Sequence, residues 1–327
     1  MHKKWFVAAG LAAALVMGVI FFAGNMPGQP FLARLWSGQG AIKKPLHQPR
    51  EGKKQEVAPK ATPAIPGDDP GGAVGEPLPW AGNKRLETLK KRYNAPLLMA
   101  AYRARLSDPI MDEAYNIDLA AQMLAGTVVA PGEVFSMNKR LGPYTRDRGF
   151  KEGPMYAGTR IVPSVGGGVC KIASLLYNVA ILSDLKIVER HPHYMTVPYV
   201  PPGQDATVAY GAYDFRFKNT SGGPILIWAD MVGNSLYMAI YGQKKPPLVL
   251  WHHETLNRTK FWTKVQYNPS LPPGTEREVI PGYDGVVVRS WLTIKTADGE
   301  MIRRDLGTDY YRVCPRVIEC GPVRDKP

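Results

Sequence analysis

The chain has 327 residues, 45% of them hydrophobic and 21% charged, which are the proportions of a globular protein and exclude a disordered or fibrous one. A formal charge of +13 suits an anionic partner, and three cysteines permit one disulfide at most, so one thiol stays free.

Met1-His-Lys-Lys4 is short and basic, and Trp5 to Gly24 is apolar and uncharged. A run of about 20 apolar residues spans a bilayer as a helix, and the preceding lysines favour a cytoplasmic N-terminus. Residues 1–24 therefore read as a transmembrane anchor, with a cleaved secretory signal as the alternative. The apolar run exceeds a usual signal core and no Ala-x-Ala site follows it. The bulk of the chain is then extracytoplasmic, single-pass at the cell membrane or secreted if cleaved, which removes nucleic acid as a partner. Residues 25–79, rich in Pro, Gly and Lys, read as a disordered tether.

The pattern over 80–243 predicts an α+β domain. A short amphipathic helix is expected over 85–93, a strand over 95–106, and a second helix over 116–124 with Asn116 as its N-cap. Strands begin at Thr127 and Glu133, and a polar, glycine-containing segment runs to Thr159. Arg160-Ile-Val162 leads into Gly166-Gly-Gly168 and Cys170, which opens a helix with a broad apolar face over 170–183. A strand at 185–188, short strands at 206–210 and 215–218, and a hairpin about Gly233-Asn234 complete the domain. Alternation over 260–266, 277–281, 285–296 and 300–306 predicts a small all-β domain over 244–327, with a turn at Ala297-Asp298-Gly299.

Chemistry converges at one place. A cysteine in the first turn of a helix meets a positive dipole and free N–H groups, which favour a thiolate and can hold an oxyanion. His193 or His191 can act as base, and Asp205 or Asp214 can orient the imidazole. The assignment carried forward is Cys170 as nucleophile, His193 as base and Asp205 as its orienting carboxylate. The glycines 166–168 and Arg190 are candidates for binding an anionic ligand, and His191 and Asp214 are further binding candidates. The blander reading makes Cys170 a small buried residue and the glycines a tight strand-to-helix crossing. Zinc held by Cys170, His191 and His193 is a further option, but the spacing is not diagnostic, and no metal or cofactor is assigned. A turn at Pro315 can bring Cys314 and Cys320 into a disulfide, leaving Cys170 as the odd thiol.

Several blocks carry a resemblance: Ala130-Pro-Gly-Glu-Val-Phe-Ser136, Gly166-Gly-Gly-Val-Cys170, Leu175-Leu-Tyr-Asn178, Ile187-Val-Glu-Arg-His-Pro-His193, Gly203-Gln-Asp-Ala-Thr207 and Asp214-Phe-Arg-Phe-Lys-Asn219. In this order they resemble the VanW family. The family pattern usually reads Cys-Gln where this chain has Cys170-Lys171. Gly282-Tyr-Asp-Gly285, Asp298-Gly299 and Cys320-Gly321 make the tail similar to strand-rich modules of the five-glycine cell-surface type. The resemblance implies an extracytoplasmic envelope protein and no particular activity. Two expectations follow. The first is a membrane-tethered protein binding peptidoglycan or another anionic wall component. The alternative is a cysteine-dependent peptidase, amidase or transpeptidase acting on peptidoglycan stems.

Overall fold

A computed structural model describes residues 71–106, 111–157 and 160–323. The expected anchor and most of the tether lie outside these residues. Among the described residues, no helix is long and apolar enough to cross a membrane.

The elements in chain order are β1 (Gly72–Ala73), α1 (Lys84–Arg92), β2 (Leu97–Arg105), α2 (Met111–Leu124), β3 (Thr127–Val129), β4 (Val134–Ser136), α3 (Met137–Leu141), β5 (Glu152–Ala157), β6 (Arg160–Val165), α4 (Val169–Leu182), β7 (Lys186–Glu189), β8 (Arg216–Lys218), β9 (Ile225–Val232) and β10 (Ser235–Gly242). The tail adds β11 (Leu248–Thr259), β12 (Thr263–Tyr267), β13 (Glu276–Ile280), β14 (Gly285–Lys295), β15 (Met301–Tyr311) and β16 (Arg316–Cys320).

A five-stranded sheet in the order β1-β2-β10-β9-β3 is the framework. Its centre is the expected hairpin: β9 and β10 pair antiparallel about Gly233-Asn234, where Gly233 takes the positive φ (+57°) that the tight turn needs. Helices α2 and α4 cover one face. Nearly every side of α4 is buried, as its apolar sequence requires, with Ile172, Leu175 and Leu176 packed among Phe215, Phe217 and Ile240. The other face carries α1 and a second core of Trp80, Leu86, Trp228 and Tyr241, in which the Trp80 indole donates to the Tyr241 hydroxyl at 2.7 Å. Asn83 caps α1 by accepting from the Leu86 amide at 3.0 Å, and three basic residues in the last turn complement its dipole.

Two stretches differ from the sequence expectation. Order is present from residue 71: β1 pairs with β2, and Leu78 is buried in the second core. Val74, Leu78 and a strand pairing supply order there where composition suggested a tether. The polar segment after 137 is also structured. It holds α3, one 3₁₀ turn at Arg146–Arg148 and the β5–β6 hairpin, stabilised by backbone pairing that no hydrophobic periodicity announces.

Beyond Gly242 the chain forms two three-stranded sheets, β11-β14-β15 and β12-β16-β13. Val249, Leu292 and Ile294 of this all-β part join the same core as α4. The Trp251 ring meets Tyr177 edge-on at 5.3 Å. The expected Cys314–Cys320 disulfide is not formed, and all three cysteines are free thiols. Cys314 is buried and its backbone bridges Tyr283, whereas Cys320 ends the extended strand β16. Such a strand separates its ends by roughly 13 Å, beyond the Cα separation of about 7 Å that a disulfide tolerates.

Candidate active site

The site begins at the elbow between β6 and α4. Gly166 and Gly168 have φ of +81° and +103°, conformations that L side chains rarely adopt. Gly167 is required for a different reason: a Cβ there would lie 2.3 Å from the carbonyl carbon of Gly153 on β5. Asn116 clamps this turn. Its amide donates to the carbonyls of Lys151 at 2.9 Å and Gly167 at 3.0 Å, and its oxygen accepts from the Lys151 amide at 2.8 Å. Asn116 is fully buried in the middle of α2 and is not the N-cap expected from its sequence position. Gly166 and Gly167 are themselves buried, so they shape the elbow and do not line an open anion cradle.

The elbow delivers Cys170 as the second residue of α4. The amides of Gly168 and Cys170 donate to no acceptor among the described residues, as first-turn N–H groups do. Cys170 is partly exposed. Its thiol donates to the Val208 carbonyl at 3.6 Å, and the His193 imidazole faces the same sulfur. Lys171, in place of the expected glutamine, pairs with Glu113 and lies over the Tyr199 ring at 5.3 Å.

His193 is fixed twice by one carboxylate oxygen. Asp205 Oδ2 lies 2.6 Å from both its backbone amide and its Nδ1, which leaves Nε2 as the ring nitrogen toward the thiol. Asp205 is 1% exposed. Its other oxygen accepts from Arg190 Nη2 at 2.9 Å and from the Tyr311 hydroxyl. The three residues expected to form a nucleophile, base and orienting carboxylate thus lie in one connected arrangement.

The other expected site residues serve elsewhere. Arg190 is committed, through Nε to the Asp205 carbonyl at 2.7 Å and Nη1 to Asp309 at 2.6 Å, with its guanidinium over Tyr177. It has no fork left for a ligand carboxylate. His191 bonds Glu189 at 3.1 Å and packs on the Tyr213 ring, so it joins neither the thiol nor a zinc set. Among the described residues, no group of three or more His, Cys, Asp or Glu side chains is placed to hold a metal ion. Asp214 accepts from Ser136 Oγ at 2.5 Å and the Asn138 amide at 2.9 Å, a structural role at the start of α3. Asn116, Asp309 and Tyr311 carry weight that no local motif announced.

The electrostatics follow from these contacts. Burial alone would raise the Asp205 carboxyl, but His193, Arg190 and Tyr311 hold it down to about 2. Burial would depress His193, yet its bonds and charge interactions with Asp205 and Cys170 raise it to about 9. Burial pushes the Cys170 thiol up, and the bond and charge of His193, with the charge of Lys171, bring it below its ordinary value. All three directions favour a thiolate facing an imidazolium. The strand expected over 206–210 is instead a loop closed by the single Ala209–Tyr213 bridge, and it walls a cleft of about 430 Å³ lined by Asn138, Lys139, Tyr210, Tyr213 and Arg216.

Residues 112–241 match the family described as VanW like protein, and residues 253–322 match the G5 domain. The chain carries a VanW-like domain followed by a G5 domain. The chain is 43% identical over 127 residues to the uncharacterized protein YoaR of Bacillus subtilis strain 168, covering 39% of this chain and 42% of that protein. It is 27% identical over 140 residues to the vancomycin B-type resistance protein VanW of Enterococcus faecalis, covering 41% and 51%. The matches thus span about half of these relatives or less. Among solved structures, the IgA1 protease G5 domain aligns with all of its length to 25% of this chain at 27% identity and a TM-score of 0.16. HP0197-G5 aligns with 97% of its length to 22% of this chain at 17% identity and a TM-score of 0.13. Cys170, His193 and Asp205 all lie in the VanW-like domain, and Asp309 and Tyr311 lie in the G5 domain.

Proposed function

We propose that this is a cysteine-dependent acyl-transfer enzyme of the bacterial cell envelope, acting on peptide carbonyls of the wall. The observation that carries the reading is the thiol of a partly exposed cysteine at a helix N-terminus, beside an imidazole whose other nitrogen is 2.6 Å from a buried carboxylate. The sulfur of the Cys170 thiolate bonds to the substrate carbonyl carbon, and the carbonyl electron pair moves to oxygen. The Cys170 amide, with no acceptor of its own among the described residues, supports that oxyanion. As the carbonyl re-forms, the C–N bond breaks and His193 gives its proton to the leaving amine. Water, or a second amine, then attacks the thioester and loses its proton to His193, and the thiolate departs. Asp205 holds the imidazole in place throughout.

The envelope setting rests on the company of a VanW-like and a G5 domain, on the basic charge of the chain and on the apolar segment at 5–24. A binding role alongside catalysis is supported by exposed aromatic rings in or beside β12, Trp262 at 58% and Tyr267 at 70%. Membrane anchoring through residues 1–24 belongs to the same proposal.

The test is the alkylation rate of Cys170 against pH, resolved from the other thiols by peptide mass spectrometry, paired with incubation of the protein and its Cys170→Ala variant with wall fragments. A reactivity midpoint well below the ordinary thiol value of about 8.5 is expected, together with release of new amines that the variant does not produce. An ordinary midpoint, with fragments only retained, would leave binding as the function.

A further inference from the structure

Strand β15 of the G5 domain closes on the orienting carboxylate of the VanW-like domain. The Tyr311 hydroxyl donates to Asp205 Oδ1, and it accepts from the Gly203 amide at 2.8 Å. An amide N–H can only donate, so Gly203 occupies an acceptor lobe of the phenol and directs its proton to Asp205. Two residues earlier on β15, Asp309 takes Arg190 Nη1 at 2.6 Å while Nη2 of the same guanidinium holds Asp205 Oδ1 at 2.9 Å. One residue beyond β15, the Arg312 amide donates to the Tyr194 carbonyl at 2.8 Å, and its guanidinium lies over the Tyr194 ring. Tyr194 follows the base His193 directly.

We infer that Tyr311 is a positioning residue for the Cys170–His193–Asp205 centre, acting through Asp205, and that Asp309 supports it through Arg190, so that the G5 domain is an integral part of the reactive site. This rests on the reading of that centre as reactive. Both oxygens of Asp205 are in use: Oδ2 serves His193 and Oδ1 serves Arg190 and Tyr311. With Oδ1 held from the G5 side, Oδ2 has one direction to face. Without that hold, a carboxylate rotates about its last torsion, which is broad, and the imidazole follows.

The charged and titratable groups around the centre are few. Asp205 meets His193, Arg190 and Tyr311, with Asp309 beyond the guanidinium and Tyr177 beneath it. Cys170 meets His193, Lys171 with its partner Glu113, and Tyr144. Removing the Tyr311 hydroxyl takes a donor from the carboxylate, so Asp205 protonates more readily and supports the imidazolium less. Both effects weaken the thiolate.

The experiment measures Cys170 alkylation by iodoacetamide against pH in the full chain, with mass-spectrometric resolution of Cys170. In Tyr311→Phe the acid midpoint is expected to rise by about one pH unit. Tyr310→Phe, an exposed neighbour on the same strand, is expected to match the wild type. Asp309→Ala is expected to shift in the same direction as Tyr311→Phe, while Asp309→Asn, which still accepts from Arg190, stays near the wild type. A folded Tyr311→Phe variant with an unchanged midpoint overturns the inference while leaving the reactive centre intact. Should Tyr311→Phe not fold, the Asp309 pair decides, and identical midpoints for wild type, Asn and Ala overturn it. A wild-type midpoint at the ordinary thiol value overturns the underlying reading instead.

Discussion

The side-chain amide of Asn116, halfway along α2, donates at 3.0 Å to the carbonyl of Gly167 at the start of α4. With its two bonds to Lys151 it forms a buried three-point clamp on the turn that presents Cys170. Asn116→Ala takes this partner from three backbone groups, through one buried and two part-buried bonds. At about 1 kcal/mol or more for each, the expected loss is about 3 kcal/mol. Chemical denaturation with a constant m-value would measure it. Unchanged stability would mean that the turn holds itself.

Gly167→Ala should be far worse than alanine at an open glycine. The new Cβ meets the Gly153 backbone at 2.3 Å, where nothing flexible can yield. A loss of about 3 kcal/mol or more, or failure to fold, is expected. Gly132→Ala, with a positive φ of +78° and open space around it, should cost only the roughly 1–2 kcal/mol of left-handed strain. Equal melting temperatures for the two variants would contradict the packing at the elbow.

Acid should weaken the site through Asp205. Its pKa lies near 2 in the folded chain and near 3.8 otherwise. A depressed carboxyl stabilises the fold fully above the higher value and loses that contribution as pH falls from about 4 to 2, worth about 2 kcal/mol. His193 runs the other way. Raised from 6.5 to about 9, it contributes fully below 6.5 and loses its share as pH climbs through 9. Cys170, lowered by the same contact, partly offsets that alkaline loss because the two titrate together. Stability curves for wild type and Asp205→Asn should therefore converge as pH drops toward 2. Parallel curves over that range would refute the assignment.

Arg190→Lys tests whether a single charge can replace the guanidinium fork. An ammonium group cannot reach Asp205 Oδ1, the Asp205 carbonyl and Asp309 in the planar arrangement that Nη2, Nε and Nη1 make at 2.9, 2.7 and 2.6 Å. A drop of about 2 kcal/mol is expected for lysine. Arg190→Ala, which leaves the buried Asp205 and the partly buried Asp309 without the cation between them, should cost about 3–5 kcal/mol. Thermal melts of the pair would show the ranking.

The tail predicts its own redox behaviour. Cys314 and Cys320 are separated by the extended strand β16, so the purified protein, unfolded without reductant, should alkylate at all three cysteines. A mass corresponding to a single modified thiol would restore the disulfide.

The residues proposed as nucleophile, base and carboxylate are legible in the sequence because each sits beside a local signal. Gly166–Gly168 announce a backbone that turns sharply into a helix, and the free odd thiol, two histidines and a following aspartate narrow the choice. His193 over His191 is settled only in three dimensions, where His191 turns to Glu189. The misreading of Asn116 is instructive. Asparagine before an apolar run normally means a cap, but α2 begins earlier, at Met111, and buries it. Arg190 is likewise visible as a charge but not as a committed one. Tyr311 and Asp309 could not be found locally, since 106 and 119 residues separate them from Asp205 and Arg190. The disulfide expectation failed because composition and compartment say that cysteines can pair, and only the course of β16 says that these do not.

The phenol of Tyr311 reaching Asp205 also constrains how such chains can change over time. A VanW-like segment that exchanged its tail for an unrelated one would lose a hydroxyl at a fixed point and expose the greasy patch that Val249, Leu292 and Ile294 now cover. In this chain a substitution on either side of the seam between the two segments is expected to be felt on the other.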